Sequence, residues 1–141
     1  MYRGLALIIL FLSTGNLFSQ GKTIDYFAQA KAKYNQKKFD KCIELTNLGL
    51  SKDSMNAAYY SLRGMAKFSL KQDSAAIKDI NKSLDIDPTQ VELYYQRGLS
   101  KYFLKQYQNA ITDFNIAINL RPRDLIQVAT IVRNLPSTAL A

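Results

Sequence analysis

The chain has 141 residues, with 19 Lys and Arg against 11 Asp and Glu, one Cys, no His, and a formal charge of +8 at pH 7. Without histidine it cannot build a Ser-His-Asp or Cys-His nucleophile pair, and one cysteine supplies neither an internal disulfide nor a thiolate zinc site. The length predicts one small domain, and the 48% hydrophobic and 21% charged residues are ordinary for a globular protein.

The first 19 residues have the three parts of an export signal. Arg3 supplies a positive charge, Leu5 to Leu12 form an unbroken apolar run, and a polar segment follows at 13–16. Eight helical residues reach only about 12 Å, well short of the ~30 Å hydrocarbon core of a bilayer. We therefore predict a signal peptide over residues 1–19 and a periplasmic, envelope-associated or secreted protein that contacts membrane only through this segment. An uncleaved N-terminal anchor is the alternative.

A fixed period of 34 residues governs the rest of the chain. Gly64 and Gly98 are 34 residues apart, and the segment 69–88 aligns without a gap with 103–122. A weaker copy runs over 35–54. Such a period is the signature of a repeat architecture in which each repeat is one supersecondary unit. Three units are predicted: unit one at 23–56, which is degenerate, unit two at 57–90 and unit three at 91–124.

Each unit is predicted to fold as a helical hairpin, because it contains two apolar runs with the spacing of an α-helix. Pro88 and Pro122 are expected to end the second helix, since proline lacks an amide donor and clashes with the preceding turn. Ser54 holds that position in unit one. The breaks between the two helices are expected at Lys37-Lys38, Lys71-Gln72 and Lys105-Gln106.

This pattern resembles the tetratricopeptide repeat (TPR) family, and the resemblance covers about 102 of the 141 residues. It implies an all-α fold, a right-handed superhelical solenoid of three helical hairpins. We expect a C-terminal capping helix and tail at 125–141 to follow. The residues that match the family pattern are Tyr60, Gly64, Ala76, Ile80, Ser83 and Pro88 in unit two, and Tyr94, Gly98, Ala110, Phe114, Ala117 and Pro122 in unit three.

Small residues recur at positions where two helices are expected to meet. Gly64 and Gly98 lie inside predicted helices, where glycine costs about 1 kcal/mol relative to alanine. We therefore expect them, together with Ala76 and Ala110, to permit a close helix–helix approach. Cys42 occupies the position of these alanines in unit one, so we predict a small buried filler, with a reactive thiol as the alternative.

An arginine in the first helix and an aspartate sixteen residues later recur together in units two and three. The two combinations are Arg63 with Asp79 and Arg97 with Asp113. Unit one lacks both partners at once. Because an unpaired charge is costly when partly buried, this joint absence predicts a charge pair across each of the two hairpins.

Basic residues also recur at every fourth position along each predicted first helix. Such spacing predicts a stripe that could attract an acidic protein, a polyanionic glycan or an anionic membrane surface. The alternative is a solvated flank whose arginines are paired with the aspartates. Nucleic acid is not expected as a partner, because no base-reading motif is present. The stripe would contain Lys33, Lys37, Arg63, Lys67, Lys71, Arg97, Lys101 and Lys105.

The resemblance also implies a concave groove lined by the first helix of each unit. An aromatic, lightly charged groove suits an extended peptide or an amphipathic helix of a partner protein. The rings of Tyr34, Phe68 and Tyr102 could instead pack on a neighbouring helix. The implied groove residues are Phe27, Lys31, Tyr34, Met65, Phe68, Tyr95, Leu99, Tyr102 and Phe103.

The family's clamp for acidic C-terminal tails is not expected here. Its positions hold Phe27, Lys31, Leu62, Glu92 and Gln96, of which only Lys31 has a suitable charge. The sequence also lacks a P-loop, a dinucleotide-binding turn and a metal-ligand cluster, so no enzyme activity, cofactor or metal is expected.

The sequence therefore predicts a non-enzymatic adaptor, exported to the cell envelope, that binds a peptide or helix of another protein. The alternative is a structural subunit that uses its repeats and an apolar C-terminal helix to form homo-oligomers or a larger envelope complex. The apolar residues of that helix are Leu125, Val128, Ile131, Val132 and Leu135.

Overall fold

The computed structural model describes residues 25–121 together with 133–134. Over these residues the chain forms α-helices and no β-strand, as the predicted all-α fold requires. The predicted signal peptide, Pro122 and most of the predicted C-terminal helix lie outside the described residues. The helices of the described region are α1 (Tyr26–Asn35), α2 (Phe39–Lys52), α3 (Ala57–Ser69), α4 (Asp73–Ile86), α5 (Val91–Phe103) and α6 (Tyr107–Leu120).

The helices pair into three hairpins that stack in chain order, α1 with α2, α3 with α4 and α5 with α6. Each second helix also packs on the first helix of the next hairpin, and the first helices α1, α3 and α5 contact one another in sequence. The molecule is therefore a solenoid whose first helices share one side. No helix in the described residues is long and apolar enough to span a bilayer.

The second helices end at equivalent positions whether or not a proline follows. The last residues of α2 and α4 are Lys52 and Ile86, which are 34 positions apart. An aspartate follows each helix, and its carboxylate accepts a backbone N–H two residues later, at 3.3 Å for Asp53 and 3.0 Å for Asp87. α4 ends just before Pro88, as predicted, and α2 ends at the equivalent position without a proline, so the aspartate turn is the feature that both helix ends share.

The turn inside each hairpin has the same conformation in all three units. Lys37, Lys71 and Lys105 have φ values of 58°, 61° and 60°, in the left-handed region that favours glycine. After Lys71, the amide of Gln72 donates to the carbonyl of Lys67 at 3.0 Å, which closes the end of α3. The sequence predicts the position of these turns but not their left-handed backbone.

In units two and three a glycine of the first helix lies directly against a side chain of the second. A Cβ atom added to Gly98 would lie 2.5 Å from Cε1 of Phe114, and one added to Gly64 would lie 3.0 Å from Cγ1 of Ile80. Phe114 and Ile80 are fully buried, as is Ala110. The ring or branched side chain of the second helix therefore occupies the space that each glycine leaves open.

Cys42 is a buried filler, as predicted. It is 0% exposed and lies in a cluster with Ala30, Leu62 and Ala66. Burial raises the pKa of the thiol to about 11, so it is protonated at neutral pH. A protonated and inaccessible thiol is unreactive, which excludes the alternative of a reactive cysteine.

The predicted charge pair across the hairpin is present in unit two. Arg63 Nη2 lies 2.6 Å from Asp79 Oδ1, and Lys67 Nζ lies 2.7 Å from Asp79 Oδ2. Arg63 also donates through Nη1 to Asn47 Oδ1 of unit one, at 2.6 Å. The arginine thus connects three helices, because it joins α3 to both α4 and α2.

Unit three repeats this arrangement. Arg97 Nη2 and Lys101 Nζ lie 2.6 and 2.8 Å from the two carboxylate oxygens of Asp113, and Arg97 Nη1 donates to Asn81 at 2.7 Å. The lysines are only 18–20% exposed in these pairs. Both arginines of the predicted stripe are therefore paired with buried aspartates, as its alternative expects, and each aspartate is shared with a lysine, so the stripe is not a continuous row of unpaired cations.

Candidate functional site

The first helices of units one and two enclose a pocket of about 310 Å³, which we call the α1/α3 pocket. Phe27, Lys31 and Tyr34 reach it from successive turns of α1, since residues three or four apart share one helix face. Met65 contributes from α3. The structure thus brings together four of the nine predicted groove residues. The pocket is completed by Asn35, Ala58, Ser61, Leu62 and Gln90.

Aromatic side chains continue along the same helices into units two and three. The ring centroids of Phe68 and Phe103 are 6.1 Å apart, and those of Tyr102 and Phe103 are 5.7 Å apart. Lys71 Nζ lies 5.2 Å from the centre of the Phe103 ring, within cation–π range. Phe103 is 51% exposed. We call Phe68, Tyr102 and Phe103 the aromatic cluster.

Two of the predicted groove residues pack against the core of unit three. Tyr95 packs on the buried ring of Phe114, with centroids 6.0 Å apart, and Leu99 packs in the same cluster. Neither lines the α1/α3 pocket. Tyr34 and Tyr102 pack on their own hairpin's second helix, against Phe39 and Tyr107 at 5.4 and 5.7 Å. The packing alternative thus holds for these two tyrosines, although Tyr34 also lines the pocket.

The charge of the pocket comes from one side chain. Lys31 is exposed and forms no ion pair with any residue that the structure describes. No acidic side chain lines the pocket. The remaining polar side chains there are two amides and two hydroxyls, so the site offers hydrogen bonds, one cation and apolar walls.

Sequence reasoning missed Gln90 as a pocket residue and treated Leu62 only as a clamp position. Gln90 precedes α5 and donates through Nε2 to Ser83 Oγ at 3.1 Å. Nothing in the repeat pattern indicates this role, because the equivalent residue of unit one, Asn56, instead caps α3 by accepting a hydrogen bond from the amide of Ala58.

The described residues contain no group of three or more His, Cys, Asp or Glu side chains that could hold a metal ion. The pocket and the aromatic cluster together present apolar and aromatic side chains on the side formed by the first helices. Such a surface is typical of peptide recognition by helical repeats.

The comparisons with known proteins agree with this geometry. The family model of the tetratricopeptide repeat matches residues 57–90 and 91–124, the bounds of units two and three. No curated protein matches the chain. Residues 57–124 therefore consist of two tetratricopeptide repeats, and the hairpin solenoid of the described residues has the TPR fold, which is a protein-interaction module.

Solved TPR domains share this fold. The first TPR domain of Spaghetti (RPAP3), bound to the HSP90 peptide SRMEEVD, is 23% identical, with a TM-score of 0.75 over 82% of this chain and 90% of that one. The second TPR domain of human RPAP3, in complex with the HSP70 peptide SGPTIEEVD, is 24% identical, with a TM-score of 0.72 over 78% and 91%. The Arabidopsis OM64 TPR domain is 26% identical, with a TM-score of 0.73 over 77% and 88%.

Proposed function

We propose that the protein is a non-enzymatic adaptor, exported to the cell envelope, that holds a peptide or helix of a partner protein in a concave groove. The observation that carries this proposal is the α1/α3 pocket and the adjoining aromatic cluster on one side of the solenoid. An apolar surface that no other described residue covers is typical of an interaction site, because exposed apolar area is otherwise unfavourable. Export is supported by the charge and hydropathy pattern of residues 1–19.

The similar structures support peptide binding in general and not a particular ligand. Both RPAP3 domains are bound to peptides that end in EEVD. At the positions where the family clamps such tails, this chain has mostly unsuitable residues, among them Phe27, Leu62 and Glu92. We therefore expect a ligand other than an acidic chaperone tail.

Site-specific photo-crosslinking tests the proposal in the cells that make the protein. A photoreactive residue replaces Ser61, which lines the pocket, and in a control chain it replaces Ser74, which is exposed on α4. We expect a discrete adduct with one partner from position 61 and none from position 74. The same adduct from both positions, or none from position 61, would contradict groove binding.

A second variant tests whether the adduct depends on the groove surface. Ala58→Glu together with Phe103→Ser places a charge at an exposed position of the pocket lining and removes the exposed ring of the aromatic cluster. We expect the adduct from position 61 to disappear while the thermal unfolding midpoint stays within a few degrees. Tyr95 is unsuitable for this purpose, because its loss would expose the buried Phe114.

Export is tested separately, by cell fractionation and N-terminal sequencing of the protein from its source cells. We expect an envelope or secreted chain that starts near residue 20. A cytoplasmic chain that retains Met1 would contradict export without affecting the groove.

The structural-subunit alternative is favoured by apolar side chains outside the groove. Leu120, at the end of α6, is 51% exposed, and Met55, between α2 and α3, is 71% exposed. Light scattering at two protein concentrations distinguishes the alternatives. A mass that doubles or more with concentration favours self-assembly, and a constant monomer mass favours the adaptor.

A further inference from the structure

We propose that the α1/α3 pocket selects a partner segment in which a large apolar side chain stands next to an acidic one. The apolar side chain enters the pocket, and the side-chain carboxylate pairs with Lys31. This inference rests on the adaptor function proposed above, and it specifies the chemistry of the ligand.

The size and walls of the pocket suit one or two apolar side chains. About 310 Å³ is at the lower end of the roughly 300–1,000 Å³ of typical ligand pockets. Phe27 meets Tyr59 edge to face, at 5.6 Å and 83°, and Tyr34 meets Phe39 at 5.4 Å. Because these contacts hold both rings, the pocket is formed before a ligand arrives, which lowers the entropic cost of binding.

Lys31 determines the charge preference. It is the only charged side chain among the pocket residues, and no described carboxylate neutralises it. By contrast, Lys67 and Lys101 are paired with buried aspartates and are unable to attract a ligand in the same way. A carboxylate beside Lys31 gains a partner next to an apolar wall, whereas a basic ligand meets an uncompensated like charge.

Of the three repeats, only unit one has a charged side chain at this groove position. The residues equivalent to Lys31 are Met65 in unit two and Leu99 in unit three, each 34 positions further along the chain. Both are apolar, so the same groove position carries a cation in unit one and carbon side chains in the others. The two ends of the groove therefore differ, and the site that selects an acidic side chain lies at the end formed by unit one.

A random peptide library tests this specificity without a known partner. Twelve-residue segments are displayed inside a carrier protein, so that no free C-terminal carboxylate is available, and are selected on the full-length chain. Parallel selections use Lys31→Glu and the matched charge reversal Lys78→Glu, at an exposed position of α4 that does not line the pocket. Both variants must retain the thermal unfolding midpoint of the unmodified protein.

The unmodified chain and Lys78→Glu are expected to enrich Leu, Met or Phe with Asp or Glu within about two residues. Lys31→Glu is expected to enrich Lys or Arg at that spacing instead. Individual wild-type ligands should bind Lys31→Glu at least about fivefold more weakly, the range of an exposed ion pair and its reversal.

The outcomes separate the two proposals. Apolar segments without an acidic preference, or a preference unchanged by Lys31→Glu, would overturn this inference and leave peptide binding in the groove intact. Ligands that bind only through a free C-terminal carboxylate would overturn it as well. If no segment is enriched on any of the three chains, groove binding itself fails and this inference fails with it.

Discussion

At the scale of single residues, a buried aspartate joins the two helices of the hairpin in unit two, and another does so in unit three. Asp113 is 1% exposed, and its two oxygens accept from Arg97 at 2.6 and 2.9 Å and from Lys101 at 2.8 Å. Loss of the aspartate would leave two partly buried cations with no counter-charge. Removing one member of a buried pair therefore costs much more than removing both.

A double-mutant cycle on Arg97 and Asp113 tests this argument. Asp113→Leu alone should lower the free energy of unfolding by about 3 kcal/mol, because it leaves Arg97 and Lys101 partly buried without a counter-charge. The double variant Arg97→Gln/Asp113→Leu carries the residues that unit one has at these positions, Gln29 and Leu45. Its cost should be smaller than the sum of the two single changes by at least about 1 kcal/mol in urea unfolding.

The exposed pair Lys41 and Glu44 is the matched control for this cycle. Its side chains are 64% and 61% exposed, and the ammonium and carboxylate are 2.9 Å apart. Solvent screens such a pair, so its coupling energy should be close to zero. Equal coupling in both cycles would show that burial of Asp113 does not set the strength of its interactions.

At the scale of secondary-structure elements, the hairpin turns carry conformational strain. Each turn places a lysine in the left-handed region, at a cost of roughly 1 kcal/mol relative to glycine. Lys71 partly offsets this cost, because its ammonium lies 5.2 Å from the Phe103 ring centre, an interaction of about 0.5 kcal/mol when exposed. Lys105 has no such ring contact among the described residues.

Glycine should therefore stabilise the turns by different amounts. We expect Lys105→Gly to raise the free energy of unfolding by about 1 kcal/mol and Lys71→Gly to raise it by less. Lys82→Gly, at an exposed helical position of α4, should lower it by about 1 kcal/mol. Urea unfolding of the three variants gives the comparison, and a loss of stability in Lys105→Gly would show that the lysine, and not the backbone, determines the turn.

The repeats explain which contacts were predictable. The Arg–Asp pair could be predicted because both partners are present in units two and three and both are absent from unit one. Lys67 gave no such signal, because its equivalent in unit one, Lys33, is retained although the aspartate is not. The left-handed turns were missed since lysine, unlike glycine, carries no conformational signature.

The groove was predictable in outline only. The family pattern places Tyr95 on the concave side, but it does not say how far a ring tilts toward the core. Phe114 stands where unit two has Ile80, and its ring packs on Tyr95. Tertiary packing therefore determines which rings remain available to a ligand.

At the scale of the whole molecule, unit one is the least stabilised of the three hairpins. It has Thr46 where the other units bury Ile80 and Phe114, and it lacks the Arg–Asp pair. In a solenoid, stability is roughly the sum of the stability of each repeat and of its interfaces with its neighbours. Since unit one also provides half of the α1/α3 pocket, its opening would remove the binding site while units two and three stay folded.

Hydrogen exchange in low urea tests this hierarchy. The amides of α1 and α2 should exchange at a lower free energy than those of α3 to α5. Gly49→Ala should enlarge the difference, because the added Cβ would collide with the ring of Tyr59 on α3 and weaken the interface between units one and two. Protection of α5 and α6 should be unchanged in this variant.

Gly98→Ala provides the complementary change. Its Cβ would press on Phe114 within unit three, so it should lower protection of α5 and α6 and leave α1 and α2 nearly as they are. Uniform loss of protection along the chain in both variants would mean that the molecule unfolds as one cooperative unit. In that case local opening of unit one could not control access to the pocket, and ligand binding would depend only on global stability.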